Sequence, residues 1–197
     1  NDAVKINRQG EPVVSRVPAR EIPPSAPELE AAMHLNMPER SILEVLRNVE
    51  YWANFSRHFG PLSGADPKLE HPRERYLLTS FAIASGMGVT QAARHMGGLI
   101  TEHVLSFVNR RHITVEKLER ACRDIIDLYS QVELARQWGS GKTAAVDGTL
   151  YEVYEQNLLA DFHFRYGLKG AVAFHVVSDT YMILFTHFIP PGVWEAV

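Results

Sequence analysis

Asp147 is the acidic residue whose surroundings best suit metal chemistry, because it follows a run of small residues and precedes a glycine. The pattern predicts a strand over residues 143–146 that ends at this carboxylate, where Gly148 leaves room for a ligand. Mg²⁺ prefers a few carboxylate oxygens together with water and phosphate oxygens, so an acid held at a strand end is a ligand of the kind it uses. On these residues alone, a simple Asp-Gly turn is the better explanation.

Several basic side chains could contact phosphates. Residues 89–97 and the helical run from residue 101 have the alanine and glycine spacing of a helix-turn-helix, which would present Arg94, Arg110 and Arg111. The apolar positions of the second helix lie one residue out of the usual register, so an ordinary helical hairpin explains the pattern better.

A strand-like stretch places His163 and Arg165 between aromatic residues, so that this polar pair would face outward toward a phosphate. A purely structural stretch is the simpler explanation. His163, His175 and His187 lack the spacing of a zinc site, and we interpret them as strand histidines with hydrogen-bonded rings. Cys122 lies on an apolar helix stripe without a nearby His or basic partner, so we interpret it as a small buried hydrophobe and not as a nucleophile.

Residues 141–143 (GKT) look like the end of a phosphate-binding loop. We reject that function, because the motif needs a glycine where Arg136 stands and a strand where a helix is predicted.

The composition is that of a globular protein. The chain has 197 residues, of which 46% are hydrophobic and 22% charged, with a net charge of −3 and a single cysteine. This excludes extensive disorder and a disulfide framework. No apolar run approaches the roughly 18 residues of a membrane span, so we expect a cytosolic protein without a membrane partner.

Charge is distributed unevenly along the chain. Residues 143–197 contain two basic side chains against six acidic ones, whereas the preceding part is rich in arginine. Arginine suits bidentate phosphate contacts, so this part is compatible with nucleic acid. On composition alone, a solvated helical surface is the better explanation.

The apolar periodicity divides the chain into three parts. Residues 1–37 are predicted to form an extended Pro-rich arm that contributes little core. Residues 38–138 are predicted to be α-helical, with runs from Pro38 to a stop at Gly60 and then over 73–85, 89–96, 101–109 and 114–137, the last capped by Thr114.

Residues 139–197 change to a strand-like pattern, with strands predicted over 143–146, 171–178 and 181–189. The fold class is therefore α+β or α/β: an all-α region followed by the first strands of a mixed unit. A new helix is predicted to begin at Val193, so we expect the chain to be a piece of a larger protein.

Five ordered motifs in the last part resemble the Tn3 family of replicative bacterial transposases. They are residues 145–149 (AVDGT), 154–159 (YEQNLL), 163–167 (HFRYG), 175–181 (HVVSDTY) and 187–196 (HFIPPGVWEA). Residues 42–46, 84–89 and 137–139 also look like the segment that leads to the catalytic core of that family. Some members carry serines where this chain has Ala145 and Val146, a difference that leaves the carboxylate in place.

The resemblance implies a ribonuclease-H-like catalytic domain of the DDE type, in which two aspartates and a glutamate hold two Mg²⁺ ions, with Mn²⁺ as a substitute. Asp147 matches the first aspartate, and the second aspartate and the glutamate are expected beyond this chain. The implied partners are transposon terminal inverted repeats, target DNA and further copies of the full-length protein, in the bacterial cytoplasm at the nucleoid. The implied chemistry is end cleavage followed by joining of the 3′ ends, for which this piece alone would lack a complete triad.

Two alternatives to this function stay open. One is a non-catalytic DNA-binding or assembly module of a truncated mobile element. The other is a self-contained nuclease that uses Asp147, Asp161 and Asp179. Convergence of those three is not expected, because Asp179 falls in the turn between two predicted strands and Asp161 in the excursion between the first two.

Overall fold

The computed structural model describes residues 4–14, 19, 21–66, 68–153, 158, 160–164 and 167–192. The chain divides into two compact units, Asn1–Ser41 and Ile42–Val197. None of the helices in the described ranges combines the length and the apolar character needed to cross a membrane.

The first unit contains a small hairpin and a helix. Strands β1 (Val4–Ile6) and β2 (Pro12–Val14) pair antiparallel, and helix α1 spans Ala26–Asn36. The prediction of an extended arm over residues 1–37 was wrong for the helical stretch. Pro27 lies in the first turn of α1, where its missing N–H leaves no hydrogen bond unmade, so proline starts this helix instead of preventing it. α1 buries none of its side chains.

The second unit begins with helices that follow the predicted apolar periodicity. They are α2 (Ile42–Ala53), α3 (Pro72–Ala84), α4 (Gly88–His95), α5 (Glu102–Arg111) and α6 (Val115–Ser130), with 3₁₀ helices at Phe55–His58 and Glu133–Gln137. The predicted cap is confirmed, because Oγ1 of Thr114 accepts a hydrogen bond from the backbone N of Lys117 at 3.3 Å.

Helix α6 ends earlier than the sequence predicts. The Ser130 hydroxyl and the Gln131 side-chain amide both donate to the carbonyl of Asp127, at 2.7 and 3.2 Å. In a continuing α-helix, the Asp127 carbonyl would accept from the Gln131 backbone N, but here the two side chains occupy it. The Gln131 backbone N donates to the Leu128 carbonyl instead. The helix therefore closes at Ser130, and the predicted run to residue 137 continues only as a turn and a 3₁₀ helix.

Two apolar clusters hold the helices together. The buried members of the first are Phe55, Phe59, Tyr76, Leu77, Val108 and Ala121, and those of the second are Ala82, Ala92, Ile100 and Leu105. In the first cluster, the ring centroid of Phe59 lies 6.2 Å from that of Phe55 and 5.7 Å from that of Tyr76, both edge-to-face. The 3₁₀ helix after α2 packs against α6 and α3.

The sheet is organised around one central strand. β5 (Leu168–Ser178) pairs antiparallel with β3 (Ala144–Glu152), β4 (Asp161–His163) and β6 (Ile183–Ile189). The sheet predicted after residue 139 is thereby confirmed in its position along the chain. Together with the helices, it makes the protein a mixed helix-and-sheet fold.

Candidate functional site

Asp147 lies inside β3 and not at a strand end, so both the strand-end and the turn interpretations were wrong. Its backbone pairs with His175 in β5, and β3 continues to Glu152. The strand continues because Gly148 serves packing and not a turn: a Cβ at this position would lie 2.8 Å from the Phe174 ring on the paired strand. The glycine accommodates that ring, and the strand passes through it without turning.

A row of polar side chains crosses the sheet at Asp147. Directly paired residues share a face, so Asp147, His175 and Thr186 lie side by side on three strands. Nδ1 of His175 is 2.9 Å from Oγ1 of Thr186, and Nε2 is 3.4 Å from the hydroxyl of Tyr151. For His175, the interpretation as a strand histidine with a hydrogen-bonded ring is confirmed.

Asp147 is exposed, and one of its oxygens is engaged locally. Oδ1 accepts a hydrogen bond of 2.9 Å from the backbone N of Gly148, which restrains the orientation of the carboxylate. Carboxylate oxygens are the donors that hard divalent cations prefer, so Asp147 fits a role as one metal ligand. Within the part of the chain that the structure describes, there is no group of three or more His, Cys, Asp or Glu residues that could hold a metal.

The structure does not bring Asp161 and Asp179 to Asp147. Asp161 pairs with Gly170 near the start of β5, Asp147 pairs with His175, and Asp179 follows the end of β5. At about 3.3 Å per residue, these positions are spread over about 30 Å. The three carboxylates therefore form no common site in this arrangement.

Asp179 has a different role, in the turn between β5 and β6. Its carboxylate accepts hydrogen bonds from the backbone N of Ser140 at 2.9 Å, the Ser140 hydroxyl at 3.1 Å, the backbone N of Gly141 at 2.7 Å and the Thr143 hydroxyl at 3.0 Å. We call this arrangement the Asp179 clip. Desolvation raises the pKa of Asp179, but the hydrogen bonds from Ser140, Gly141 and Thr143 outweigh it and leave the pKa below its ordinary value.

The Asp179 clip also explains why residues 141–143 look like a phosphate-binding loop. The amides of Ser140 and Gly141, which such a loop would direct at a phosphate, donate to a carboxylate of the same chain. Gly139 lies against the backbone of Asp179, where a Cβ would overlap it. The rejection of a nucleotide-binding function agrees with these contacts.

The candidate DNA-contacting arginines are exposed at the ends of two packed helices. Arg94 lies in the last turn of α4, and Arg110 and Arg111 end α5. The starts of the two helices are joined by a hydrogen bond of 2.7 Å from the Thr90 hydroxyl to Glu102. The geometry leaves these guanidinium groups accessible to a phosphate backbone.

The other two candidates for DNA contact lie in or near β4. His163 ends this strand, paired with Leu168. Arg165 lies outside the described residues, as do the helix start predicted at Val193 and most of the 154–159 motif.

The interpretation of Cys122 as a buried residue was wrong, because it is exposed on α6. The face of α6 that enters the core is centred one residue earlier, on Ala121, with Ile125 packed beside it. Desolvation by neighbouring atoms and the negative charge of Glu119 raise the pKa of the Cys122 thiol, which disfavours the thiolate. The rejection of Cys122 as a nucleophile agrees with this.

Two kinds of comparison bear on the site. The family model described as the Tn3 transposase DDE domain matches residues 44–197, a range that includes Asp147 and the Asp179 clip. The chain is 30% identical over 165 residues to the transposase for transposon Tn501 of Pseudomonas aeruginosa, covering 81% of this chain and 16% of that protein.

Two further curated transposases are similar over comparable ranges. The transposase for transposon gamma-delta of Escherichia coli (strain K12) is 24% identical over 170 residues, which cover 85% of this chain and 17% of that protein. The transposase for transposon Tn1546 of Enterococcus faecium is 22% identical over 181 residues, which cover 90% and 18%. The chain thus spans less than a fifth of the length of the relatives it matches.

Proposed function

The chain belongs to the Tn3 transposase DDE domain family, and we propose that it forms part of a DNA transposase. In the proposed reaction, the full-length protein cleaves transposon ends and joins the freed 3′ ends to target DNA in replicative transposition. The observation that carries the proposal is the exposed Asp147 carboxylate, held on a paired strand within the matched range.

Asp147 is proposed as one of the carboxylates that hold Mg²⁺, for which Mn²⁺ can substitute. Its hydrogen bond from the Gly148 amide restrains the carboxylate, and the pairing of β3 with β5 holds the strand that carries it. When bound, the metal would activate first water and then the 3′ hydroxyl, and would offset charge on the entering and leaving oxygens. The remaining carboxylates of the triad are proposed to come from other parts of the longer protein.

The order of the strands supports a ribonuclease-H-like sheet. β3, β5 and β6 form an antiparallel set with β5 in the centre, which suits the first three strands of such a sheet. On this proposal, residues 139–197 are the beginning of the catalytic domain, residues 38–138 are a helical region that contacts DNA ends or a second protomer, and residues 1–37 are an arm.

Exposed arginines are proposed to contact the DNA backbone. Arg94, Arg110 and Arg111 lie at the accessible ends of α4 and α5. His163 ends β4, and Arg165 follows two residues later in the sequence. The substrates are double-stranded terminal inverted repeats and target DNA, and the assembly is a homo-oligomer of the full-length chain. The proposed location is the bacterial cytoplasm, at the nucleoid.

The 197-residue chain by itself is proposed to be inactive, because a single carboxylate cannot position two metal ions. The alternative function is a non-catalytic DNA-binding or assembly module, which is favoured by the accessible arginines on the packed pair α4 and α5. The two functions differ in one respect: only the transposase requires the charge of Asp147.

The test is a Mg²⁺-dependent end-cleavage assay on the full-length protein that contains this chain. Asp147→Asn keeps the shape and removes the charge, so we expect the cleavage rate to fall by at least about 100-fold with end binding retained. Asp161→Asn is the matched control, because Asp161 is an exposed strand aspartate of the same sheet whose Oδ1 accepts from the neighbouring Phe162 amide.

Unchanged cleavage by Asp147→Asn would contradict the proposed metal role and favour the module without catalysis. Cleavage by the purified 197-residue chain would contradict its proposed inactivity. Loss of cleavage in Asp161→Asn as well would point to general damage of the sheet.

A further inference from the structure

The Asp179 clip joins three segments of the chain at one point. Ser140 and Gly141 belong to the connection that follows the last helix, Thr143 is the residue before β3, and Asp179 lies in the β5–β6 turn. The backbone N of Asp179 also donates to the Thr143 carbonyl at 3.0 Å, so Thr143 is held through both its side chain and its backbone.

Two further contacts attach the same turn to the helices. The Tyr129 hydroxyl in α6 donates to the Thr180 carbonyl at 2.6 Å. The rings of Trp138 and Tyr181 meet edge-to-face with centroids 6.1 Å apart. The β5–β6 turn therefore packs against the end of the helical region. Within this contact, Asp179 carries a negative charge on a carboxylate that accepts four hydrogen bonds.

The Asp179 clip lies close enough to Asp147 along β3 for a small movement at the clip to displace the Asp147 carboxylate. Asp147 follows Thr143 by about four residues, or about 14 Å of strand at about 3.4 Å per residue. Because β3 is paired with β5 along its whole length, the two strands would move together, and a rotation of about 10° at the Asp179 clip would displace the Asp147 carboxylate by about 2 Å relative to the helical region. A misplacement of about 1 Å at a reacting centre can cost about 100-fold in rate.

We propose that Asp179 is a positioning residue, which sets where Asp147 lies relative to the helical region by closing the chain just ahead of β3. The inference rests on the proposed role of Asp147 as a metal ligand. Asp179 touches neither metal nor substrate on this proposal and acts only through Thr143 and β3.

The experiment uses the full-length transposase with Asp179→Asn, which retains the size of the side chain but turns an amide NH₂ toward the donors of the Asp179 clip. Amide hydrogen exchange across residues 139–143 reports whether the Asp179 clip is closed, independently of catalysis. In parallel, end binding, the urea unfolding midpoint and the end-cleavage rate at saturating Mg²⁺ are measured for this variant, for Asp147→Asn and for the control Asp161→Asn.

We expect Asp179→Asn to lose protection at Ser140 and Gly141 and to lower kcat by about 10- to 100-fold, with KM for transposon ends unchanged. Asp147→Asn should lose cleavage with these amides still protected. Ser140→Ala and Thr143→Val each remove one hydroxyl donor and leave the two amide donors, so they should give smaller losses in the same direction.

Wild-type cleavage by Asp179→Asn despite lost protection would overturn the inference, as would slow cleavage with full protection at Ser140 and Gly141. If Asp179→Asn does not fold, the two milder variants decide in its place: lost protection without any loss of rate overturns the inference. Normal cleavage by Asp147→Asn would instead remove the proposed function and leave the Asp179 clip as a structural contact.

Discussion

The hydroxyl of Tyr76 lies 3.0 Å from Nδ1 of His112, with both side chains buried in the helical core. The ring of Phe107 meets the imidazole edge-on, with 5.2 Å between centroids. The His112 carbonyl accepts hydrogen bonds from Gly60 N at 3.1 Å and from Lys117 Nζ at 3.3 Å. This arrangement favours a neutral imidazole. Burial and the nearby charge of Lys117 lower the pKa of His112, and burial raises the pKa of Tyr76.

The lowered pKa of His112 predicts a pH dependence of stability. In the unfolded chain, His112 takes up a proton as the pH falls below its ordinary pKa of 6.5, while in the folded chain it stays neutral to lower pH. The unfolded state then binds more protons, so the free energy of unfolding should fall as the pH drops from about 6.5 toward the folded pKa. Urea unfolding of wild type and His112→Gln between about pH 8 and about pH 5 measures this.

The variant should show a flatter profile than the wild type over that interval. His58 also has a specific partner, since its Nε2 lies 2.7 Å from Oδ2 of Asp124, so His58→Gln is the matched comparison. If His112→Gln leaves the slope unchanged, His112 is not the group responsible.

The buried Glu50 carboxylate caps the start of a 3₁₀ helix, and we expect it to contribute to the free energy of unfolding. The exposed fraction of Glu50 is 5%, and its carboxylate accepts from Ser56 N at 2.9 Å and from the Ser56 hydroxyl at 2.6 Å, at the start of a 3₁₀ helix. Arg73 Nε lies 3.7 Å from the same carboxylate. Glu50→Gln places an NH₂ against these donors and should lower the free energy of unfolding by about 1–3 kcal/mol.

A surface glutamate provides the control for Glu50. Glu116 is exposed and pairs with Arg120 within α6, so Glu116→Gln should change the free energy of unfolding by less than about 0.5 kcal/mol. Both values come from the same denaturant titration. Equal effects of the two substitutions would contradict a special role for the buried carboxylate.

The close contact between Gly148 and the Phe174 ring should make any larger residue at position 148 destabilising. The backbone there does not require a glycine, since φ is not in the left-handed region, but a Cβ would press on the Phe174 ring. Gly148→Ala should therefore destabilise the sheet by about 0.5–1.5 kcal/mol, the cost of turning the half-buried Phe174 ring away from its preferred rotamer, and Phe174→Leu should relieve part of that cost. A double-mutant cycle by denaturant unfolding measures the coupling, which would be absent if the strain arose from the backbone.

The arginines on α4 and α5 predict a salt-dependent affinity for transposon ends. If Arg110 and Arg111 each neutralise a phosphate, replacing both by alanine should reduce the slope of log K against log salt by about 0.9 per contact. Arg120 is the control, because it already pairs with Glu116. The measurement is end binding by the full-length protein over a salt series, and an unchanged slope would favour a solvated surface.

The helices and the location of the sheet could be predicted from the sequence, because apolar spacing and β-branched content are local properties. Helix α1 was missed because a proline-rich composition was given more weight than the position of Pro27 in a first turn. The sequence places the buried face of α6 one residue away, on Cys122. The error arises because contacts with other helices, which the sequence of α6 does not contain, decide that Ala121 is the buried residue.

The surroundings of Asp147 could be predicted only in part. Its residue type and neighbours indicated a carboxylate with a ligand role, but the row formed with His175 and Thr186 depends on strand register, which arises from pairing between distant segments. The partners of Asp179 were likewise hidden, since a turn aspartate ordinarily bonds to its own backbone and this one bonds to residues 140–143.

The central place of β5 also sets an order of events in folding. β6 pairs with β5 across a tight turn, so this hairpin closes a short loop at little entropic cost. β3 meets β5 only across the intervening chain that contains β4, and this longer loop closes more slowly. The strand that carries Asp147 is therefore expected to join last, onto a hairpin that already presents His175 and Thr186.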